Sequence, residues 1–324
     1  MSSGRPVGEF AFIGERLRPL AQASPAALDL RDDAAVLTPP PGQDLVLTKD
    51  AMVAGVHFLE SDPPALIAQK LLRVNLSDLA AMGAEPLGHL LALARPPSVD
   101  DPWLHAFTEG LREDQQEFGS ALFGGDTVST PGPLTLCLTA LGTVPHGQVI
   151  RRTGARPDDE VWVSGTLGDA ALGLQVLQGR LELPTTASVF LIDRYRRPQP
   201  RLALGARLRG VASAMLDVSD GLLADLGHIL SGSGVGATIE AGRLPLSTAG
   251  RSAPQPLDAA LGGGDDYELL FTAPEAHRGA LERIALDLAL PLTRIGRTEA
   301  APGLRTIDQH GRAIDVERSG WTHF

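Results

Sequence analysis

The chain has 324 residues, of which 43% are hydrophobic and 21% charged, and its formal net charge is −11. That length allows a large buried core and two domains, while the acidic balance excludes the basic footprint of a nucleic-acid-binding protein. No apolar run is long enough to span a bilayer, the opening MSSGRPVGEF lacks a secretory pattern, and a single cysteine, Cys137, excludes an internal disulfide or a cysteine metal cluster. The cytoplasm is the expected location.

Residues 8–22 read as an amphipathic helix, and 34–38 and 45–48 as strands around the Pro-rich turn 39–42. Residues 63–82 form a strong helix pattern, with Asp62 placed to cap it and Gly83 to end it. A strand over 87–94, a helix over 101–118, a strand over 120–123, a turn at Gly124-Gly125-Asp126-Thr127 and a long strand over 134–144 follow. The Gly-, Pro- and Arg-rich segment 145–158 divides a first domain (1–150) from a second (151–324). Beyond it come strand 160–164, a Gly-rich turn 165–168 and helices 169–178, 187–194 and 201–212. Strand 214–218, helix 221–232, strand 236–240, a loop-like stretch 245–262, strand 268–272, helix 275–289 and strand 292–296 complete the series. This is an α/β or α+β pattern in both halves.

Two of the 28 basic residues are lysines, Lys49 and Lys70, and neither stands in a Gly-Lys-Ser/Thr loop. A P-loop is thereby excluded, as is the protein-kinase His-Arg-Asp loop. Acidic residues instead gather beside small or hydroxyl residues in five segments: Arg31-Asp32-Asp33, Thr48-Lys49-Asp50, Asn75-Leu-Ser77-Asp78, Gly124-Gly125-Asp126-Thr127 and Asp217-Val-Ser219-Asp220-Gly221. Single carboxylates on several strand ends are a sensible way to hold hard cations such as Mg²⁺, which accept oxygen ligands and keep substrate phosphates in their shell. Taken singly, each segment is ordinary turn chemistry, and Asp220 equally suits a helix cap.

Asp78 is the most informative residue. It lies in a helix that is apolar nearly all round, where an ionised carboxylate is costly unless paired or bound to metal. Asn75 is one turn away, so a hydrogen-bonded structural pair is the competing account. Ser219 stands at the mouth of the helix starting at Gly221, where an anion is favoured, and Gly165-Thr166-Leu-Gly168-Asp169 has a similar form. Arg151-Arg152 can clamp a transferring phosphate or lie solvated on a linker. His57 follows a turn, Gly262 to Glu268 is Gly-rich then acidic, and Trp321 either stacks on a cationic heterocycle or anchors the tail.

In order, these segments resemble the thiamine-monophosphate kinase family over nearly the whole chain. The resemblance runs through Gly8-Glu9-Phe10, Asp32-Asp33-Ala34, Asp50-Ala-Met-Val-Ala-Gly-Val-His57-Phe58 and Val74-Asn-Leu-Ser-Asp-Leu-Ala-Ala-Met-Gly-Ala84. It continues through Gly124-Gly-Asp-Thr127, Leu216-Asp-Val-Ser-Asp-Gly-Leu222, Asp266-Tyr-Glu-Leu269 and His323-Phe324. It implies the aminoimidazole-ribonucleotide-synthetase-like (PurM-like) two-domain fold, with an N-terminal sheet that pairs with a second protomer's, and hence a homodimer. It also implies ATP-dependent phosphorylation of thiamine monophosphate with several Mg²⁺ ions.

By motif, Asp33, Thr48, Lys49, Asp50, Asp78, Asp126, Asp217 and Asp220 fall at metal positions. Gly125, Asp126, Arg152 and Ser219 fall at ATP positions, and His57, Asp265 and Trp321 at substrate positions. Asp78, Asp126, Arg152 and Asp220 are the candidates for direct participation in catalysis. Two residues depart from the family pattern: Lys49 stands where Thr is frequent, and Asp265 where Glu is usual. The competing readings are another ATP-dependent enzyme of the same superfamily and a nucleotide- or thiamine-phosphate-binding protein without turnover.

Overall fold

The computed structural model describes residues 9–314 and Gly320. Packing divides the chain into two units, with residues 80–84 and 147 onward belonging to the second and the remainder to the first.

After short helical turns over residues 9–21, the first unit runs β1 (Gln43–Val53), α1 (Pro64–Ala81), β2 (Glu85–Arg95), α2 (Asp101–Phe118), β3 (Ala121–Ser129) and β4 (Thr135–Pro145). The Pro63 carbonyl accepts the N–H groups of Leu66 and Ile67, which starts α1, and Gly83 beyond its end takes the left-handed conformation, φ 70°. For α2, the Asp100 carboxylate accepts the Trp103 N–H at 3.0 Å and left-handed Gly119 closes the helix.

The four strands lie in the order β1-β4-β2-β3, antiparallel except for the parallel β2–β3 pair. Alternation along β1 turns Val46, Thr48, Asp50 and Met52 to one face. The Leu79 side chain of α1 lies over Gly142, the cross-strand partner of Val46, so this is the helix-covered face. Leu45, Leu47, Lys49 and Ala51 point the other way. On that face Leu45, Leu47, Leu90 and Val128 remain exposed, Leu47 to 62%.

Two expectations for this unit fail. No strand forms over 34–38, and residues 124–127 are part of β3 instead of a turn. The β2–β3 register passes from His89↔Leu122 to Leu90↔Gly124, leaving Phe123 as a bulge. The strand then continues because Gly125 has no side chain: a Cβ there would sit 1.8 Å from the Leu91 carbonyl oxygen.

The second unit contains β5 (Glu160–Ser164), α3 (Asp169–Leu177), α4 (Thr185–Arg196), α5 (Leu202–Arg207), β6 (Ala214–Asp217) and α6 (Leu222–Ser233). It continues with β7 (Gly236–Glu240), α7 (Pro256–Gly262), β8 (Leu269–Ala273), α8 (Arg278–Leu288), β9 (Leu292–Glu299) and β10 (Gly303–Ile307). The stretch 245–262, read from sequence as loop, therefore holds the helix α7. The strand order is β10-β7-β9-β5-β8-β6, antiparallel apart from β7–β10.

Alternation divides this sheet's side chains into two buried layers. Val161, Val163, Leu216 and Leu270 pack with Leu222, Leu226 and Ile229 of α6. Trp162, Met215 and Phe271 pack with Leu204, Leu208, Leu281 and Ile284. Both units thus mix helix and sheet, and no helix among the described residues is long and apolar enough to cross a membrane.

Candidate active site

In the first unit, β1 and α1 bring Thr48, Asp50, Asn75 and Asp78 together. The Thr48 hydroxyl donates to Asp78 Oδ2 at 2.5 Å, and the Asp50 N–H donates to Asn75 Oδ1 at 3.1 Å. Asn75 is fully buried and spends its own amide on the Leu71 carbonyl at 2.9 Å, which fixes its orientation. Burial and the neighbouring Asp78 charge push the Asp50 carboxyl up to about 6. Asp78 is half-buried, with buried residues on both sides of it along the helix. The remaining polar side chains of α1 have structural partners: Gln69 donates to Glu113, Lys70 to the His57 carbonyl, and Arg73 to Asp114 and Glu117. Two close carboxylates with a hydroxyl and an amide oxygen form a hard-oxygen donor set, which fits a divalent cation such as Mg²⁺.

Lys49 is exposed and, by alternation, projects from the face opposite Asp50. Its side chain is thereby removed from the donor set, and its backbone carbonyl is the group left to contribute. Asp33 is exposed in the loop before β1. Asp126 is exposed on β3 and shares its cross-strand row with Ala92, Cys137 and Ala51. Three interstrand spacings, about 14 Å, separate β3 from β1. His57 accepts the Val53 N–H on Nδ1 at 3.1 Å, so the neutral ring carries its proton on Nε2.

In the second unit, β6 ends at Asp217, which is buried, and the chain turns through Val218, Ser219, Asp220 and Gly221 into α6. The Gly262-to-Glu268 segment packs against this turn. Asp265 N–H donates to the Ser219 carbonyl at 2.9 Å and Tyr267 N–H to that of Val218 at 2.8 Å. Asp265 and Tyr267 both take the left-handed region, φ 69° and 52°, a strained backbone held by its surroundings. Gly264 permits the approach, since a Cβ there would meet the Ser219 oxygen at 2.4 Å. Asp217, Ser219, Asp220 and Asp265 are thus assembled on two adjoining loops. Arg152 is exposed on the segment beside β6, where Met215 N–H donates to the Arg151 carbonyl at 2.9 Å.

The two helix mouths with an affinity for anions are occupied by the chain itself. At α6, Asp225 Oδ2 accepts the N–H groups of Ser219, Asp220 and Gly221, each at 3.0 Å. At α3, Asp266 accepts the Gly168 N–H at 2.6 Å and that of Ala170 at 3.3 Å. Burial pushes the Asp225 carboxyl up to about 6 and that of Asp266 to about 8, against the pull of these N–H groups. Next to Asp266, buried Glu268 accepts from Arg194, Arg201 and Ser164. Sequence reasoning missed Asp225 and Asp266. The available signal for Asp225 was a carboxylate amid the apolar run Leu222-Leu223-Ala224-Leu226, the same signal that singled out Asp78. Trp321 lies outside the described residues. Among the described residues, no group of three or more His, Cys, Asp or Glu side chains is placed to hold one metal ion.

Residues 31–144 match the family model for the AIR synthase related protein N-terminal domain, and residues 156–309 that for its C-terminal domain. The chain is 44% identical to thiamine-monophosphate kinase of Salmonella typhimurium, over 98% of either protein. The crystal structure of thiamine-monophosphate kinase from Stenotrophomonas maltophilia K279a superposes with a TM-score of 0.86 at 44% identity, covering 96% of this chain and 99% of that one. AaThiL complexed with AMPPCP and TMP gives a TM-score of 0.78 at 31% identity, with full coverage of both chains.

Proposed function

Because the chain belongs to the thiamine-monophosphate kinase family, we propose that it transfers the γ-phosphoryl group of ATP to thiamine monophosphate, forming thiamine diphosphate and ADP with the help of several Mg²⁺ ions. The observation that carries this reading is likeness to a named kinase over 98% of both chains. The AMPPCP and TMP held by a full-length structural relative support the same pair of substrates.

In this reading a phosphate oxygen of thiamine monophosphate forms the new bond to the γ-phosphorus in line, and the bond from that phosphorus to the β–γ bridging oxygen breaks. No strong general base is required, since the attacking phosphate is already anionic, and catalysis is mainly positioning plus charge stabilisation. Thr48, Asp50 and Asp78 in the first unit, and Asp217 and Asp220 in the second, are the residues assigned to Mg²⁺, with the Lys49 carbonyl and Asp33 as further oxygen donors. Bound there, Mg²⁺ supplies the positive charge that offsets the assembled phosphates. The closeness of Asp50 and Asp78 supports this assignment: burial first, and then the Asp78 charge, oppose ionisation of Asp50, and a cation between the two offsets both.

Arg152 and Ser219 are assigned to ATP, and His57 and Asp265 to thiamine monophosphate. Asp265 is one methylene shorter than the usual Glu, and its left-handed backbone is what presents it at the Ser219 loop.

A homodimer belongs to the same proposal. The exposed Leu45, Leu47, Leu90 and Val128 share one face of the first sheet, and an apolar face of this kind marks an interaction surface. A second protomer covering it also accounts for Asp126: some 14 Å from the Asp50 edge, it joins an ion held there only across a protomer boundary. Incubating the pure protein with ATP, Mg²⁺ and thiamine monophosphate and resolving the thiamine esters tests the reading. Thiamine diphosphate is the expected product, and its absence with Mg²⁺ present overturns the proposal.

A further inference from the structure

Asp225 has no place in the site as assigned so far, yet its carboxylate is the hub of the Ser219 loop. It stands in the first turn of α6, 4% exposed. One oxygen, Oδ2, collects three consecutive backbone N–H groups, those of Ser219, Asp220 and Gly221, at equal distances of 3.0 Å. Successive N–H groups converging in this way make an anion-binding nest. Here the anion is covalently part of the chain, and Gly221, at φ 128°, supplies the backbone turn that aims all three inward.

We propose that Asp225 is a positioning residue for phosphoryl transfer: its carboxylate fixes the peptides of Ser219, Asp220 and Gly221, so that Asp217, Ser219 and Asp220 stand ready for metal and nucleotide. This inference rests on the kinase reading. The loop is otherwise held from the Gly262–Glu268 side through the carbonyls of Val218 and Ser219, whose N–H partners are Tyr267 and Asp265. Asp225 supplies the restraint on the opposite, N–H side of the same peptides.

A second consequence follows from the filled nest. A helix N-terminus is ordinarily a ready site for phosphate. With a fixed negative charge already seated on these N–H groups, the ATP phosphates are excluded from them. The polyphosphate is then left to cations on Asp217 and Asp220, which makes nucleotide binding at this loop dependent on Mg²⁺.

The test compares the full-length wild type with Asp225→Asn, which keeps the shape and one acceptor oxygen, and Asp225→Glu, which keeps the charge. Four quantities are measured on folded protein: kcat, the KM for thiamine monophosphate, the Mg²⁺ concentration giving half-maximal rate, and calorimetric binding of AMPPCP with and without Mg²⁺. For Asp225→Asn we expect kcat to fall about 10- to 100-fold and the Mg²⁺ midpoint to rise by a similar factor, as for other groups that orient metal ligands. The KM for thiamine monophosphate should change less than the Mg²⁺ midpoint, since His57 lies in the first unit and Asp265 meets this loop only through the Ser219 carbonyl. Mg²⁺-dependent AMPPCP binding should weaken about tenfold, and Asp225→Glu should recover part of each loss.

A variant that merely melts earlier, with wild-type kcat and Mg²⁺ midpoint, overturns the proposal. So does failure of both variants to fold, which would assign Asp225 to the fold alone. A wild type that binds AMPPCP with Mg²⁺ but makes no thiamine diphosphate defeats the kinase reading instead, and the binding arm then decides the role of Asp225 by itself.

Discussion

The sheet of the second unit is buried on both faces by the packing of alternate side chains, whereas that of the first leaves Leu45, Leu47, Leu90 and Val128 open on one face. The carboxylates differ in a parallel way. In the second unit, Asp225 and Asp266 face backbone N–H groups, and Glu268 faces Arg194 and Arg201. In the first, Asp50 faces Asp78, with a hydroxyl and an amide for company. Asp225, Asp266 and Glu268 of the second unit are thus satisfied by donors of their own unit, as Asp114 of the first is by Arg73, whereas Asp50 meets a like charge. The contrast separates acids that build the loop from acids proposed to bind a cation, a distinction that burial alone does not make.

The largest expected effect lies with the acids proposed to hold Mg²⁺. Asp78→Asn should lower kcat by about a hundredfold or more. Its melting midpoint should match or exceed the wild type's in the absence of Mg²⁺, because a like charge beside Asp50 is removed. Wild-type turnover in this variant, or a large loss of stability, would place Asp78 with the structural acids and dissolve the comparison.

The reverse is expected of Asp266. Asp266→Ala leaves the N–H groups of Gly168 and Ala170 without their acceptor, at a cost of about 1–3 kcal/mol. A urea titration measures it. A variant as stable as wild type would show that these acids too are dispensable to the fold.

A more graded effect, spread over several pH units, comes from His89. Its ring is fully buried on β2, with Nδ1 against the Ser120 hydroxyl at 3.1 Å and Nε2 unpaired among the described residues. Burial pulls its pKa down from 6.5 to about 3. The folded chain therefore refuses a proton that the unfolded chain accepts below pH 6.5. Stability should fall with decreasing pH across the window from 6.5 to 3, by about 1.4 kcal/mol per pH unit from this group. His89→Gln should remove that share of the slope, and an unchanged slope in urea titrations from pH 7 to 5 would contradict the assignment.

Much of this organisation was legible in the sequence because its signals are local. The apolar periodicity of α1, the Asp100 and Gly119 boundaries of α2 and the alternation of β4 each need only neighbouring residues. The misreadings have non-local causes. Gly124-Gly125-Asp126 looks like a turn, and only the close approach of the Leu91 carbonyl makes it a continuous strand. The helix α7 hides among Ser and Pro residues that also suit a loop. At the site, the strand-end carboxylates announced themselves by composition, but their division between the two edges of the first sheet depends on strand order, which no single motif carries. The partners of Asp266 lie almost a hundred residues away in the chain, so nothing near it advertised its role.

The scarcity of lysine gives the open sheet face a practical property. Lys70 is buried, with its Nζ donating to the His57 carbonyl, whereas Lys49 is exposed on that face, midway along the edge strand β1. Apart from the terminal amine, Lys49 is therefore the one primary amine readily reached by acylating reagents. An amine label on this protein marks the surface where a second copy would sit, and its yield reads out how much of that surface is covered at any protein concentration.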